Sequence, residues 1–578
     1  MKPLLATLCA LLACVASVNA YVLNYSGYTS PQHWDFTGQT APTNSLNPQT
    51  DAIRFFLASD AYSVTNNAAE LNAIRATFAQ WQAISNTTIK FEDAGLVAPR
   101  NNINTSDGTN VVFFARTTMV NGEDITGILG RTYVRFTVPG IVLLEGDIIF
   151  NAYNRTWFTD INDTANTGYF VESVAAHEIG HLLGLAHSPV GTASMLFRGS
   201  AAVGNLQAGL LSDEIAGAQF LYAVTRTNVG AIKGTVTKNG SAVLGAQVFI
   251  QDAGSNVVAG TVTRSTGAYE VNMLPPGNYL VRAAPLDPSS GNRLVSAADI
   301  NSDFNGSDTA FLPTTNIATT VNANSTNTIN LAVRALTPAF RITHLRAPSS
   351  SSGAYSWSSL PRGMTVGQSN YYIGVASASL PTANASLRIT GDGLTLGSPI
   401  YLANAFGSGL NFISVPISVS SNATPGTRDF IVTQYGTNVA YANGFLEIQA
   451  PAPDYNFDGL DDRFQRQYFA LFTATNAAPH ADPDGDRMNN YGEFLAGTNP
   501  TNAASLLRIQ SVSHGNNTST IRWDSVYGKR YQVLYSSMLG ASIWSNVGAV
   551  VTAYDTSAQA SDSTATNASR LYRVQPLP

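Results

Sequence analysis

Val171–Ser188 reads VESVAAHEIGHLLGLAHS, and the 578-residue chain is most readily interpreted outward from it. On a helix, residues four apart share a face, so His177 and His181 can aim both imidazoles at one ion with Glu178 beside it. Two such ligands alone hold a metal weakly. Gly184 makes a third available, because glycine accepts the left-handed conformation that ends a helix and lets the chain swing His187 back toward the same ion. Three neutral nitrogens and one open position are the ligand set of a catalytic rather than a structural zinc. The bland alternative is a helix whose histidines are merely satisfied in the core. It fits poorly in a chain with seven histidines in all, three of them at this spacing.

The chain beyond the third histidine adds to this reading. Ser188 follows His187 directly, then comes Ala193-Ser194-Met195-Leu196-Phe197. Leu211–Tyr222 (LSDEIAGAQFLY) reads as a helix with Ser212 as N-cap and Asp213 and Glu214 in its first turn. On these residues the stretch from roughly 50 to 223 resembles the matrixins, the matrix-metalloprotease-like branch of the metzincins. The resemblance implies an α+β metzincin domain, a mixed twisted sheet with an active-site helix. It makes Met195 the hydrophobic floor beneath the zinc and Leu196–Gly199 a wall of the S1′ pocket, and it makes proteins or peptides the substrate. In the implied mechanism His177, His181 and His187 hold one zinc, which acidifies its bound water and polarises the scissile carbonyl. Glu178 takes the water's proton and passes it to the leaving amine. Two readings of other classes stand beside this metalloendopeptidase: a surface adhesion or binding protein whose zinc domain is catalytically minor, and a metal-dependent hydrolase acting on something other than protein.

Length without a repeated unit predicts several domains. Charged residues make up 12% and the net charge is −6, which gives no basic footprint for nucleic acid. Abundant Thr, Ser, Asn, Val and Gly point to β-rich extracellular modules. Residues 1–20 (MKPLLATLCALLACVASVNA) read as a secretory signal cut before Tyr21, too short for a lasting membrane span, so a secreted or cell-surface protein is expected. Both cysteines, Cys9 and Cys14, fall inside it, leaving the mature chain neither disulfides nor a thiolate ligand. Leu11–Cys14 resembles a lipoprotein cleavage box, but the apolar run continues past Cys14, which favours secretion over lipidation. Many matrixins block their zinc with a propeptide cysteine. None follows the signal here, and residues 21–50 are too few for a folded prodomain, so latency must arise elsewhere.

The zinc domain is assigned to residues 21–225. Ala52–Leu57 reads as a first strand, and Asn67 with Glu70 as a capping box opening a helix whose Leu71, Ile74, Phe78 and Trp81 share a face. Thr88–Glu92, Asn110–Phe114 and Gly146–Phe150 read as further strands. Gly127–Gly130 reads either as part of the exposed edge along which the family's peptides lie or as another buried strand. Animal matrixins carry a second, structural zinc. Here no histidine lies between His33 and His177, and Ile149 stands at one of its ligand positions, so that zinc is expected to be missing. Asn151 and Asn154 occupy positions where the family places calcium carboxylates, which would give a weaker site.

Residues 228–335 resemble the carboxypeptidase-regulatory-like β-sandwich, on Gly245–Ile250, Thr266–Tyr269 and Leu274–Tyr279. A second sandwich of uncertain type is assigned to 336–450. Residues 454–504 carry two loops, one with Asp454, Asn456, Asp458 and Asp462, the other with Asp482, Asp484, Asp486, Asn490 and Glu493. Oxygens at positions one, three, five, nine and twelve are what an EF-hand-like calcium loop needs, and the second loop has all five. This segment resembles thrombospondin-type-3 or dockerin-like repeats, with Gln465 at position twelve of the first loop and Arg487 at the glycine position of the second. The alternative is solvated acidic turns. Residues 505–578 form a last small β domain, where Trp523, Gly528–Tyr531, Trp544 and Leu571–Arg573 resemble a C-terminal domain of modular secreted bacterial proteins. Its aromatics read as core before they read as a surface or polysaccharide-binding face.

Overall fold

The computed structural model describes residues 22–577 apart from 26–29, 39–40, 139–140, 164–165, 200–205, 354–355, 541 and 566–568. The signal reading, with Cys9 and Cys14, lies outside these residues. The chain divides into two compact units, Met1–Pro451 and Ala452–Pro578.

The first unit begins with a five-stranded mixed sheet. Its order is β2 (Phe91–Val97), β1 (Ile53–Ala58), β3 (Val111–Ala115), β5 (Leu143–Asn151) and β4 (Gly130–Phe136). The first four strands run parallel, and β4 pairs antiparallel with β5 at the edge. Gly127–Gly130 therefore leads into an edge strand. The parallel strand β3 is wholly apolar and buried, as a strand covered on both faces should be, and β5 is almost wholly buried although it carries Glu145, Asp147 and Asn151. Helices α1 (Asn67–Gln82) and α2 (Val171–Leu182) pack together and bury Phe78, Trp81 and Ile179.

Three local expectations are corrected. Helix α1 does not open on a capping box: Asn66 precedes it without a side-chain cap, Asn67 Oδ1 accepts from Ala61 N, and buried Glu70 accepts from Ser63 N and Oγ. In α3 (Ser212–Tyr222), Ser212 is the first helical residue rather than the cap, and Glu214 instead accepts from Leu211 N at 3.1 Å. The strand expected at Thr88–Glu92 runs from Phe91 to Val97.

Two β-sandwiches complete the first unit. One sets Gly230–Lys238 and Ala268–Leu274 against Val257–Val262, Ala246–Gln251, Gly277–Pro285 and Ile317–Val321. The other sets a sheet around Tyr371–Ser377 and Asn411–Val419 against one around Gly426–Gln434 and Asn438–Gln449. These modules share buried contacts. Arg282 and Asp429, both almost fully buried, pair at 2.7 Å across the two sandwiches. Gly191 N and Thr192 N donate to Asn443 O and Gly444 O at 3.0 and 2.7 Å, and Gly260 N donates to Asp213 Oδ1 at 2.8 Å. Leu196 and Ala186 belong to one apolar cluster with Leu294, Ile300 and Phe445.

The second unit holds two short loop-helix pairs, with helices Asp462–Tyr468 and Asn490–Ala496, followed by two three-stranded sheets over buried Trp523 and Tyr531. Strand is the main regular structure of both sandwiches and of the sheets that close the chain. Among the described residues no helix is long and apolar enough to cross a membrane.

Candidate metal centre and cleft

Helix α2 carries His177, Glu178 and His181, and its end is fixed from several sides. Trp34 Nε1 donates to Leu182 O at 2.8 Å, Tyr222 Oη to Leu183 O at 2.6 Å, and Trp81 Nε1 to Ala176 O at 3.1 Å. Gly184 then takes φ +98°, and a Cβ there would lie 2.1 Å from Gln32 O. Only glycine turns the chain at this point without strain. The turn brings His187 back, so that one ligand nitrogen from each of His177, His181 and His187 lies within 4.8 Å of the others.

The tautomers follow from the hydrogen bonds. His177 Nδ1 lies 2.8 Å from Ser194 O, and His181 Nδ1 lies 2.8 Å from Leu185 O. A carbonyl oxygen only accepts, so each Nδ1 carries the proton and each Nε2 presents a lone pair. The two Nε2 atoms face each other at 3.1 Å. Two lone pairs at that distance repel unless a cation lies between them. Tetrahedral zinc with nitrogen ligands at about 2.0–2.1 Å would set them roughly 3.3 Å apart. The site therefore fits a bound divalent metal. Burial also holds the imidazoles neutral, the form that ligates: His177 lies well below its ordinary value, and His187 is pushed down to about 3, opposed by hydrogen bonds to the backbone of Asp299 and Ile300.

Glu178 sits beside the histidines. Thr132 Oγ1, on the edge strand, donates at 2.8 Å to the Glu178 carboxylate and lies 2.8 Å from its backbone oxygen. Burial pushes the Glu178 carboxyl up to about 8, against the hydrogen bond from Thr132 and the charge of Arg131. Below lies Met195, 2% exposed, whose N–H donates to Glu214 Oε1 at 3.0 Å. A Cβ on Gly180 would come within 2.3 Å of Met195 Sδ and 3.2 Å of the Trp81 ring, so the helix approaches the methionine as closely as glycine permits. Gly127–Thr132, Ser194, Leu196–Gly199, Arg155 and Leu360 of the second sandwich line the cleft, which has a volume of about 740 Å³. Thr132, Arg131, Arg155 and Leu360 carried no signal in the sequence, because the fold rather than any local spacing brings them here, whereas Arg198 falls in the Leu196–Gly199 stretch that the resemblance placed at the pocket wall.

Asn151 and Asn154 do not offer a carboxylate-like pocket. Asn151 Nδ2 donates to Ile125 O, Ile128 O and Asn154 Oδ1, and Asn151 Oδ1 accepts from Tyr153 N and Asn154 N. In the second unit, the carboxylates of Asp482, Asp484 and Asp486 converge within 4.8 Å. Asn490 Oδ1 and both carboxylate oxygens of Glu493 are buried beside them without hydrogen-bond partners. Among the described residues, the first loop shows no such convergence. There Asp458 Oδ2 accepts from Asn456 Nδ2 and Gln465 Nε2, both at 2.9 Å, and Gln465 Nε2 also donates to Ala477 O.

Two histidines on a helix and a third brought back just past its end, beside a carboxylate and against the antiparallel edge strand of a mixed sheet, define a domain built around a candidate metal site. Residues 48–223 match the family model described as Matrixin, and residues 231–334 match the carboxypeptidase regulatory-like domain; the chain carries both. It is similar to metalloendoproteinase 2-MMP of Arabidopsis thaliana, 34% identical over 107 residues, which are 18% of this chain and 26% of that protein. The chain thus spans about a quarter of that relative's length. Among solved structures, the major pilin subunit BcpA of Bacillus cereus aligns at 10% identity over 38% of this chain and 69% of its own, with a TM-score of 0.15. The major pilin SpaD of Corynebacterium diphtheriae aligns at 7% over 57% and 80%, with a TM-score of 0.16. Thrombospondin-type-3 or dockerin-like repeats are absent from these matches.

Proposed function

We propose that the chain is a secreted zinc-dependent endopeptidase. The observation that carries this reading is the geometry around Glu178: a buried carboxylate, held by Thr132, beside three neutral imidazoles whose free nitrogens converge. His177, His181 and His187 would hold the metal, and zinc there would supply Lewis acidity to a water and to the scissile carbonyl. The chain's own residues do the rest. Glu178, with its carboxyl near neutrality, accepts a proton during attack and returns it to the leaving amine. Thr132 fixes the carboxylate's rotamer, and the hydrogen bonds to Ser194 O and Leu185 O fix the imidazoles. The edge strand β4 offers unpaired backbone groups along which an extended peptide can lie, and Leu196–Gly199 form the wall facing the residue after the cut.

The test is cleavage of unfolded casein and quenched peptides by the full chain, beside Glu178→Ala, with and without chelator. We expect cleavage that a chelator stops and zinc restores. Glu178→Ala should keep its zinc and lose about 10²- to 10⁴-fold in rate. Zinc-loaded, folded wild type that cuts nothing would favour the binding-protein reading instead.

We also propose one structural calcium, in the second acidic loop, held by Asp482, Asp484, Asp486, Asn490 and Glu493. The partnerless buried oxygens of Asn490 and Glu493 support it, since burying them without a cation is costly. In the first loop, which the sequence offered as a second site through Asp454, Asn456, Asp458 and Asp462, Asp458 Oδ2 accepts from Asn456 Nδ2 and Gln465 Nε2, so two amide donors stand where an ion would draw on that carboxylate. Calcium titration of the chain should find one site in this segment, lost in Glu493→Gln. Two equivalent sites there, or none, would refute the assignment.

A further inference from the structure

The chain as a whole is acidic, with 31 Lys and Arg against 37 Asp and Glu, yet the cleft around the histidines is not. Its lining carries three arginines, Arg131, Arg155 and Arg198, and Glu178 as its one carboxylate. Arg131 is neutralised by Glu123, at 2.8 Å. The other two are not. Arg155 donates to the carbonyls of Thr126 at 3.0 Å and Ile128 at 3.4 Å, and stacks over Tyr169 with its guanidinium 6.0 Å from the ring centroid. Arg198 donates to Arg293 O at 3.0 Å and to Ser359 Oγ, and lies over Phe197 at 4.5 Å. Two acids act on Arg198 from a distance: Asp299, whose two oxygens are already taken by Arg293 at 2.9 Å each, and Asp287, which pairs with Arg341 at 3.4 Å. Neither Arg155 nor Arg198 makes an ion pair among the described residues.

Carbonyl and hydroxyl partners orient a guanidinium without cancelling its charge, and the acids that act on Arg198 are each engaged by another arginine, so two guanidinium groups stand without an ion pair of their own in a half-enclosed cleft, where screening by water is reduced. A zinc ion would add to them. The placement of Arg198 is not accidental to the sandwiches: its two polar partners, Arg293 and Ser359, come one from each, and Leu360 beside Ser359 reaches the cleft itself.

We propose that the cleft selects acidic peptides, with carboxylate side chains flanking the scissile bond read by Arg155 and Arg198, and that the two β-sandwiches build the Arg198 subsite. This rests on the peptidase reading above. Electrostatic complementarity of this kind acts mainly on encounter and on specificity, and it weakens with salt.

The experiment uses the full, zinc-loaded chain and pairs of quenched peptides identical except for Glu or Gln at the residues flanking the cut. In wild type, kcat/KM for the Glu peptide should exceed that for its Gln partner by about tenfold at low salt, and the ratio should shrink as ionic strength rises. The ratio should fall toward one in Arg155→Gln and Arg198→Gln and be regained in Arg155→Lys and Arg198→Lys, so that a loss of packing is told apart from a loss of charge. A wild-type ratio at or below one, or one indifferent to salt, overturns the proposal while leaving the peptidase intact. If neither peptide is cut, the peptidase reading is what has failed. Fluorescence anisotropy of the same two peptides on the zinc-loaded chain then decides the charge preference: tighter binding of the Glu peptide supports it, and equal binding ends it.

Discussion

Gly180 shows how much of the metal centre is decided by single atoms. It lies between the two helical histidines, where nothing in metal chemistry asks for glycine, yet a Cβ there would meet Met195 Sδ at 2.3 Å and the Trp81 ring at 3.2 Å. The sulfur can move aside but the indole cannot. Gly180→Ala should therefore cost about 1–3 kcal/mol, typical of overpacking a close-packed core. It should also weaken zinc binding, because displacing Met195 shifts the helix turn that carries His177 and His181. Thermal melts and zinc titration check both, and an unchanged Tm with unchanged zinc affinity would refute the account. At this scale the sequence was informative where the chemistry is local. The three histidines, Glu178 and Gly184 lie within eleven residues, and the helical period with one left-handed turn suffices to bring them together. Thr132 lies far from Glu178 in sequence and reaches it only because β4 is the edge strand, which no spacing discloses.

Among the elements, α3 departs most from its sequence reading, and the departure has an energetic consequence. Ser212 looked like its cap, but the first turn is instead tied into the metal-site loop: Glu214 accepts from Met195 N, and Asp213 accepts from Ser188 Oγ at 2.7 Å and from Gly260 N at 2.8 Å. Capping preferences are local, and tertiary donors displaced them here, as Ala61 N and Ser63 did at Asn67 and Glu70. Burial pushes the Asp213 carboxyl up to about 6. Burial and the neighbouring Asp213 push Glu214 up to about 8, from an ordinary 4.5. A carboxyl raised on folding keeps its proton in the folded state after the unfolded chain has released it. Its contribution is thus fully present below about pH 4.5 and is lost as pH rises through 8. The Tm of the wild type should fall between pH 5 and 8 more steeply than that of Glu214→Gln. Parallel curves for the two proteins would show that Glu214 does not titrate as stated.

For the whole molecule, the sequence announced β-rich modules after the matrixin domain through alternating apolar residues and turn signals. It did not announce that two of them would be packed against that domain. Alternation records which face of a strand is buried, not which neighbouring module covers the sandwich's outer surface, and the Arg282–Asp429 pair joins residues 147 positions apart. Such a pair is a poor source of net stability, but removing one partner strands a buried charge, at a cost of about 3–5 kcal/mol. Asp429→Ala should lower the Tm of the first unit by that route, with Arg282→Met/Asp429→Leu recovering much of the loss. A double variant no better than Asp429→Ala would refute this. The metal-site domain cut out as residues 22–225 would expose Leu196, Ala186 and Val190, which are now buried. We expect it to aggregate where the intact first unit does not, and light scattering at matched concentration distinguishes the two.

The connection between these modules has one further consequence, for the life of the protein among proteases. Residues 224–228 run exposed between α3 and the first sandwich, the kind of stretch where backbone is most readily clipped. Yet the backbone bonds from Gly191 and Thr192 to Asn443 and Gly444, and the Asp213 bond to Gly260, all span that point without depending on it. A nick there would give two bands on a denaturing gel and one peak in gel filtration. The protein would age as a noncovalent pair of fragments, keeping its metal centre and its cleft intact after its chain has been cut.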